Sequence, residues 1–133
     1  MTLKGFAAAL ATAFLLCNLF LVFHEGGHWI VYRLAGVQAH VVGPGVEHQL
    51  GRDVYYAAAV QHDPVSPLLA KLGLFGGFLG ELVLIAALAW LYLATGWDWA
   101  LIGVMCISLG LLVSWTPLAS AWGGDYSELV GGV

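Results

Sequence analysis

Three apolar stretches alternate with polar, turn-rich sequence along this chain. The first runs uncharged from Gly5 to Phe23, the second extends from Leu68 to Ala94 with Lys71 near its start and Glu81 in its middle, and the third is uncharged from Trp99 to Leu118. Each is long enough to cross a bilayer, whose hydrocarbon core takes about 20 helical residues. The pattern predicts spans over about 5–34, 68–94 and 98–119. Tryptophans and tyrosines at the ends of these stretches, such as Trp29, Tyr32, Trp90 and Trp97, suit headgroup depth. A cleaved signal peptide is the rival for the first stretch. Its apolar run exceeds the roughly 7 to 15 residues of a signal core, and it ends on His24, Glu25 and glycines where a small-residue cleavage site would stand. The segment is expected to stay in the protein.

The section from about 35 to 67 has another character. Gly36, Gly43, Pro44, Gly45, Gly51, Pro64 and Pro67 punctuate it. Ala39 to Val42 and Asp53 to Val60 read as short extended runs, which predicts a small β-hairpin-like loop at the membrane surface. Gly96 and Trp97 mark a short turn between the second and third spans. The expected fold is thus an all-α membrane protein: three transmembrane helices, a hairpin-like loop between the first and second, and one domain over residues 1–133.

Composition supports this class. Of 133 residues, 61% are hydrophobic and 9% charged, against norms of roughly 45–50% and about 25% for soluble domains. Four Lys and Arg against eight Asp and Glu leave a net charge of −4, so no basic patch is available and nucleic acid is an unsuitable partner. Cys17 and Cys106 both lie inside apolar runs, where a thiol packs as a small hydrophobe.

Chemistry concentrates in His24-Glu25-Gly26-Gly27-His28. Residues four apart share one helix face, about 40° apart, so both imidazoles can bind one metal ion while Glu25 reaches the water beside it. Ionisable groups in or beside a membrane are costly and usually mark function. Gly26 and Gly27 each sacrifice about 1 kcal/mol of helix propensity relative to Ala. Small residues there would admit a substrate or a neighbouring backbone, and close helix packing explains them equally well. The same holds for Gly73 with Gly77 and for Gly76 with Gly80, which read mainly as packing faces.

A catalytic zinc usually takes three protein ligands plus water, so one is missing. If the three spans are antiparallel neighbours, the ends of spans one and three emerge on the same side, which brings Asp125 to the side of His24 and excludes Asp98. Asp125 is therefore the favoured third ligand. Asp53, Asp63, His40, His48 and His62 lie in the loop on that side and remain open as alternatives.

These motifs resemble the site-2 protease type of intramembrane zinc metalloprotease. His24 to Trp29 looks like that family's HExxH, and Val37 to Gly45 followed by Asp53 to Tyr56 looks like its strand-rich loop. Gly77 to Leu82 resembles the segment opening its second core helix. Ser114 to Pro117 and then Gly124-Asp125 resemble motifs of its third, with Ser114, Phe78 and Glu81 standing where the family has Asn, Pro and Asn. The likeness spans nearly the whole chain, as a minimal three-helix core.

The resemblance implies an endopeptidase that holds one Zn2+ and cleaves membrane-spanning segments of protein substrates, with Glu25 as its base. It also implies that Glu81 faces the active-site cavity. Taken for itself, a mid-span Glu81 reads equally as a neutral carboxyl hydrogen-bonded to a neighbouring helix, at Ser108 or Ser114. Ser114 or the loop backbone is the expected oxyanion donor. The extended loop, with Tyr55 and Tyr56, is expected to pair with an unwound substrate. A non-catalytic metal-binding scaffold or regulator is the alternative function. Lys4 on one side against Arg33, Arg52 and Lys71 on the other places the site toward the cytoplasm in a multi-pass integral membrane protein. Membrane lipid, and a second copy or an accessory membrane protein to close so small a cavity, complete the expected partners.

Overall fold

The computed structural model describes residues 2–49 and 52–114, excluding the side chains of 47–49, 52, 54, 55, 113 and 114. Three helices dominate. Helix α1 runs Leu3–Leu34, α2 Pro67–Thr95 and α3 Asp98–Ser114. Between α1 and α2 lie four strands: β1 (Ala39–Val42), β2 (Gly45–Gln49), β3 (Arg52–Tyr56) and β4 (Ala59–His62).

Local chemistry sets the helix ends. The Thr2 hydroxyl accepts from Gly5 N at 3.2 Å, satisfying one of the orphan amides that open α1. At the far end Gly36 turns the chain with φ 77°, a conformation that side chains with a Cβ resist. Helix α2 opens on Ser66, whose hydroxyl accepts from Leu69 N, with Pro67 in the first turn where its missing N–H costs nothing. It closes on Gly96 at φ 66°, whose N–H reaches Tyr92 O at 2.7 Å. The turn expected at Gly96 and Trp97 is therefore present, and its brevity folds α3 back along α2.

Helices α1 and α2 are long and apolar enough to cross a membrane; α3 is an apolar helix of 17 residues as far as Ser114. The remainder of the span expected to reach residue 119 lies outside the described residues. Much of the apolar surface faces outward: Phe14 is 72% exposed, Val22 66%, Leu93 81% and Met105 65%. The core is small and sits at one end of the bundle, where Leu84 and Leu88 of α2 meet Ala100 and Ile107 of α3, with Leu16, Leu19 and Phe20 of α1 packed against them.

The hairpin is longer than the sequence pattern suggests. β1 pairs with β4 and β2 with β3, both antiparallel, from Ala39 opposite His62 to Gln49 opposite Arg52. The two numbers in every pair have the same total, so the register is unchanged across the gap between the ladders. It is one hairpin, interrupted without an inserted residue. Pro44 stands in the gap and cannot donate to a ladder. The run expected from Asp53 to Val60 is accordingly broken at 57–58, and the paired region extends on to His62.

The hairpin base is fastened to the end of α1. Trp29 Nε1 donates to Ala39 O at 3.0 Å, Arg33 Nη1 to the Gln38 side chain at 2.7 Å, and the Tyr32 ring lies 4.0 Å from that of His62. Sequence spacing alone could place this loop after α1 but not against it.

Candidate metal centre

The HExxH residues lie on α1 where it packs against α2 with glycines at the contact. A Cβ on Gly27 would collide with the Gly76 carbonyl, one on Gly76 with the Gly27 backbone, and one on Gly80 with the Phe23 carbonyl. Gly27 is thus explained by close helix packing. Gly26 has open space around it and borders an apolar groove of about 400 Å³ between the two helices, together with Val22, Ile30 and Val83. The residue pairs show the helices to be antiparallel: as α1 advances from Phe23 through Gly27 to Tyr32, α2 recedes from Gly80 through Gly76 to Gly73.

Backbones this close bring the polar groups of α1 into the seam. His28 is 7% exposed and Glu25 9%. His24 and His28 meet edge to face, with their Nε2 atoms 3.2 Å apart. Each Nδ1 is engaged on α2: that of His24 with Glu81 Oε1 at 2.7 Å, that of His28 with Gly73 O at 2.7 Å. Gly77 completes the contact, since a Cβ there would lie 2.5 Å from His28 Nε2 and 2.9 Å from His24 Cε1.

Hydrogen-bond logic restricts the protons. A carbonyl only accepts, so His28 Nδ1 carries the hydrogen, and in the neutral ring its Nε2 presents a lone pair. An ionised Glu81 imposes the same tautomer on His24 and turns a second lone pair toward the first. Two lone pairs facing each other at 3.2 Å would repel, and one filling that relieves this is a cation between them. The alternative filling is a proton on His24 Nε2, donated to His28 Nε2. A tetrahedral zinc with bonds of about 2.0–2.1 Å separates two of its ligand atoms by about 3.3 Å, close to the 3.2 Å between these two Nε2 atoms. Metal-bound histidines almost always donate the other ring N–H to a carboxylate or a backbone carbonyl, and both kinds of acceptor are present here.

A third ligand is a separate matter. Asp125 lies outside the described residues. Among the described residues no group of three or more His, Cys, Asp and Glu side chains could hold an ion, so His40, His62, Asp53 and Asp63 do not complete the pair. The side chain of His48 is outside the description. Asp98 opens α3 beside the end of α2, away from the histidines.

Of the other expected site residues, Glu81 is fully buried, and its hydrogen-bonded neighbour among the described side chains is His24 on α1, not the Ser108 of α3 that the sequence suggested beside Ser114. Tyr56 borders a cleft of about 650 Å³ on the hairpin, with His40, Gln61 and His62, that does not include the imidazole pair. Tyr55 lies in β3 opposite Val46 and Ser114 ends α3; their side chains lie outside the described residues. Sequence reasoning missed the Gly73 carbonyl and Gly77. The signal was present: Gly73, Gly77 and Glu81 recur every four residues on α2, matching the four-residue spacing of His24 and His28 on α1. No protein-family model, curated protein or solved structure matches the chain.

Proposed function

We propose that the protein is a zinc-dependent endopeptidase of the membrane, cleaving peptide bonds in or near transmembrane segments of protein substrates. The observation that carries this reading is the pair of Nε2 atoms at 3.2 Å with both Nδ1 atoms engaged, in an HExxH setting that also buries Glu25. Two helices of spanning length and their outward apolar side chains support membrane insertion, since soluble monomers rarely carry such continuous exposed apolar surface. Under this reading lipid surrounds the bundle, the protein is multi-pass, and the imidazole end faces the cytoplasm.

His24, His28 and Asp125 would hold the ion. Zinc supplies Lewis acidity, polarising a carbonyl and bringing the pKa of water toward about 7. Glu25 takes one proton from the attacking water and returns it to the amine nitrogen as the C–N bond breaks, so the hydroxyl ends on the carbonyl carbon. A helical substrate first unwinds, because its backbone groups are otherwise satisfied internally. The two-stranded hairpin fastened to the end of α1 offers unpaired strand edges for that unwound segment.

Metal content tests the ligand set without a substrate. The wild type is expected to hold about one zinc per chain, and His24→Ala and Asp125→Ala to lose it. Glu25→Gln is expected to keep the metal and lose cleavage of a membrane-peptide substrate. A wild type without metal removes the site altogether, and cleavage by Glu25→Gln removes the base. The second reading, a non-catalytic scaffold or regulator, is favoured by the lack of a third donor among the described residues; it predicts metal without cleavage in the wild type as well.

A further inference from the structure

The geometry points to Glu81 as a positioning residue: its carboxylate accepts from His24 Nδ1–H, holds that imidazole in the tautomer whose Nε2 is a lone pair, and sets a negative charge behind the ion. This inference rests on the metal reading above and assigns Glu81 a place behind His24, not one in contact with substrate.

Three observations carry it. Glu81 has 0% exposure, and while Oε1 lies 2.7 Å from His24 Nδ1, Oε2 is buried with no hydrogen-bond partner among the described residues. A buried carboxylate with an unused oxygen is expensive, and more so in a membrane, unless opposite charge stands near. Among the described cationic side chains, Lys71 lies exposed ten positions away toward the start of α2, and Arg33 is exposed at the end of α1, where it donates to Gln38, so neither serves. A cation held at the two Nε2 atoms supplies the compensation through the imidazole itself.

The second observation is the match between helices. On α2 the Gly73 carbonyl, the bare Cα of Gly77 and the Glu81 carboxylate stand at successive four-residue steps. They meet, in order, His28 Nδ1, both rings, and His24 Nδ1. One face of α2 thereby holds both imidazoles in a common orientation.

The third is an asymmetry. His28 is held by a neutral carbonyl and His24 by a side-chain carboxylate, so the two imidazoles rest on acceptors of different kind. Loss of Glu81 is therefore expected to disturb His24 and to leave His28 as it is.

The test uses the full chain in detergent micelles, with imidazole ¹⁵N spectra of the metal-free protein and zinc affinity by competition with a chelator. In the wild type His24 is expected to carry its hydrogen on Nδ1. Glu81→Gln, whose amide oxygen still accepts, keeps that tautomer and loses a few-fold in affinity. Glu81→Leu mixes the His24 tautomers, leaves those of His28 unchanged and weakens zinc by about 10- to 100-fold, while thermal unfolding of the metal-free protein shows no matching loss. A purely structural Glu81 moves the unfolding temperature and not the tautomer. Wild-type affinity in Glu81→Leu, or a wild-type His24 with its hydrogen on Nε2, overturns the proposal, and the latter needs no variant to fold. A wild type that takes up no zinc sinks the metal reading instead, and the tautomer still decides separately on Glu81.

Discussion

The two halves of the helix bundle are held by different means. At the core end, Leu84, Leu88 and Ile107 interlock with Leu16 and Phe20, and α3 contributes directly. At the imidazole end α1 and α2 meet through Gly27, Gly76, Gly77 and Gly80, with bare backbone in contact. Large side chains keep helix axes apart and fill the gap with apolar atoms. Glycines let the axes approach, so that a carbonyl of one helix and a carboxylate one side chain long reach the ring nitrogens of the other. Close approach at one end is what builds the polar cluster, and side-chain packing at the other is what anchors the seam.

Substitutions can separate these roles. The largest effect is expected from Gly27→Ala, whose Cβ would strike the Gly76 carbonyl where relaxed contact needs about 3.5 Å. Backbone cannot swing aside as a side chain can. The cost should reach the upper end of the about 1–3 kcal/mol typical of overpacking, with zinc lost as His24 and His28 leave Glu81 and Gly73. Unfolding in detergent and metal analysis on one sample check both. Next is Leu84→Ala in the core. Its cost is expected at the low end of the roughly 2–5 kcal/mol for such truncations, because the neighbouring Leu16, Leu19 and Phe20 are only partly buried and can shift into the space. Zinc content should stay at the wild-type value; its loss would show that the two ends are not separable. The smallest effect belongs to Trp29→Phe, which removes the Nε1 bond to Ala39 O. About 0.5–1.5 kcal/mol is at stake, read as faster amide exchange across Ala39 to Val42 with metal binding unchanged.

A related contrast separates the seam from the hairpin. His24 and His28 are tied to α2 by hydrogen bonds of 2.7 Å, whereas Tyr56 and His40 border an open cleft in which His62 reaches the carbonyl of its own neighbour Asp63. Polar groups beside water need no fixed partner. The same groups between two apolar helices must find one, which is why the seam, not the loop, organises the imidazoles.

Much of this was legible in the residues. Spans over 5–34 and 68–94 correspond to helices Leu3–Leu34 and Pro67–Thr95, since long uncharged runs bounded by Thr2, Gly36, Ser66 and Gly96 have few other outcomes. The hairpin was visible in outline only. Pro44 and the Gly45–Gln49 strand broke the alternation on which a period-two reading depends. The pairing of His24 with His28 followed from helix geometry alone. Their Nδ1 partners did not, because helix spacing states which residues share a face without stating which face of another helix is opposite.

Amino-acid order by itself determined local matters: which segments are helical, where they stop, and that two imidazoles and a carboxylate share one turn of α1. These depend on backbone hydrogen bonds and on residues at most four positions apart. Tertiary structure alone decided the register of α2 against α1, and with it that Glu81 backs His24, that Gly73 backs His28, and that Gly77 leaves room for both rings. That register is set by where glycines let two backbones touch, a contact between residues 45 to 57 positions apart that periodicity within either helix does not contain.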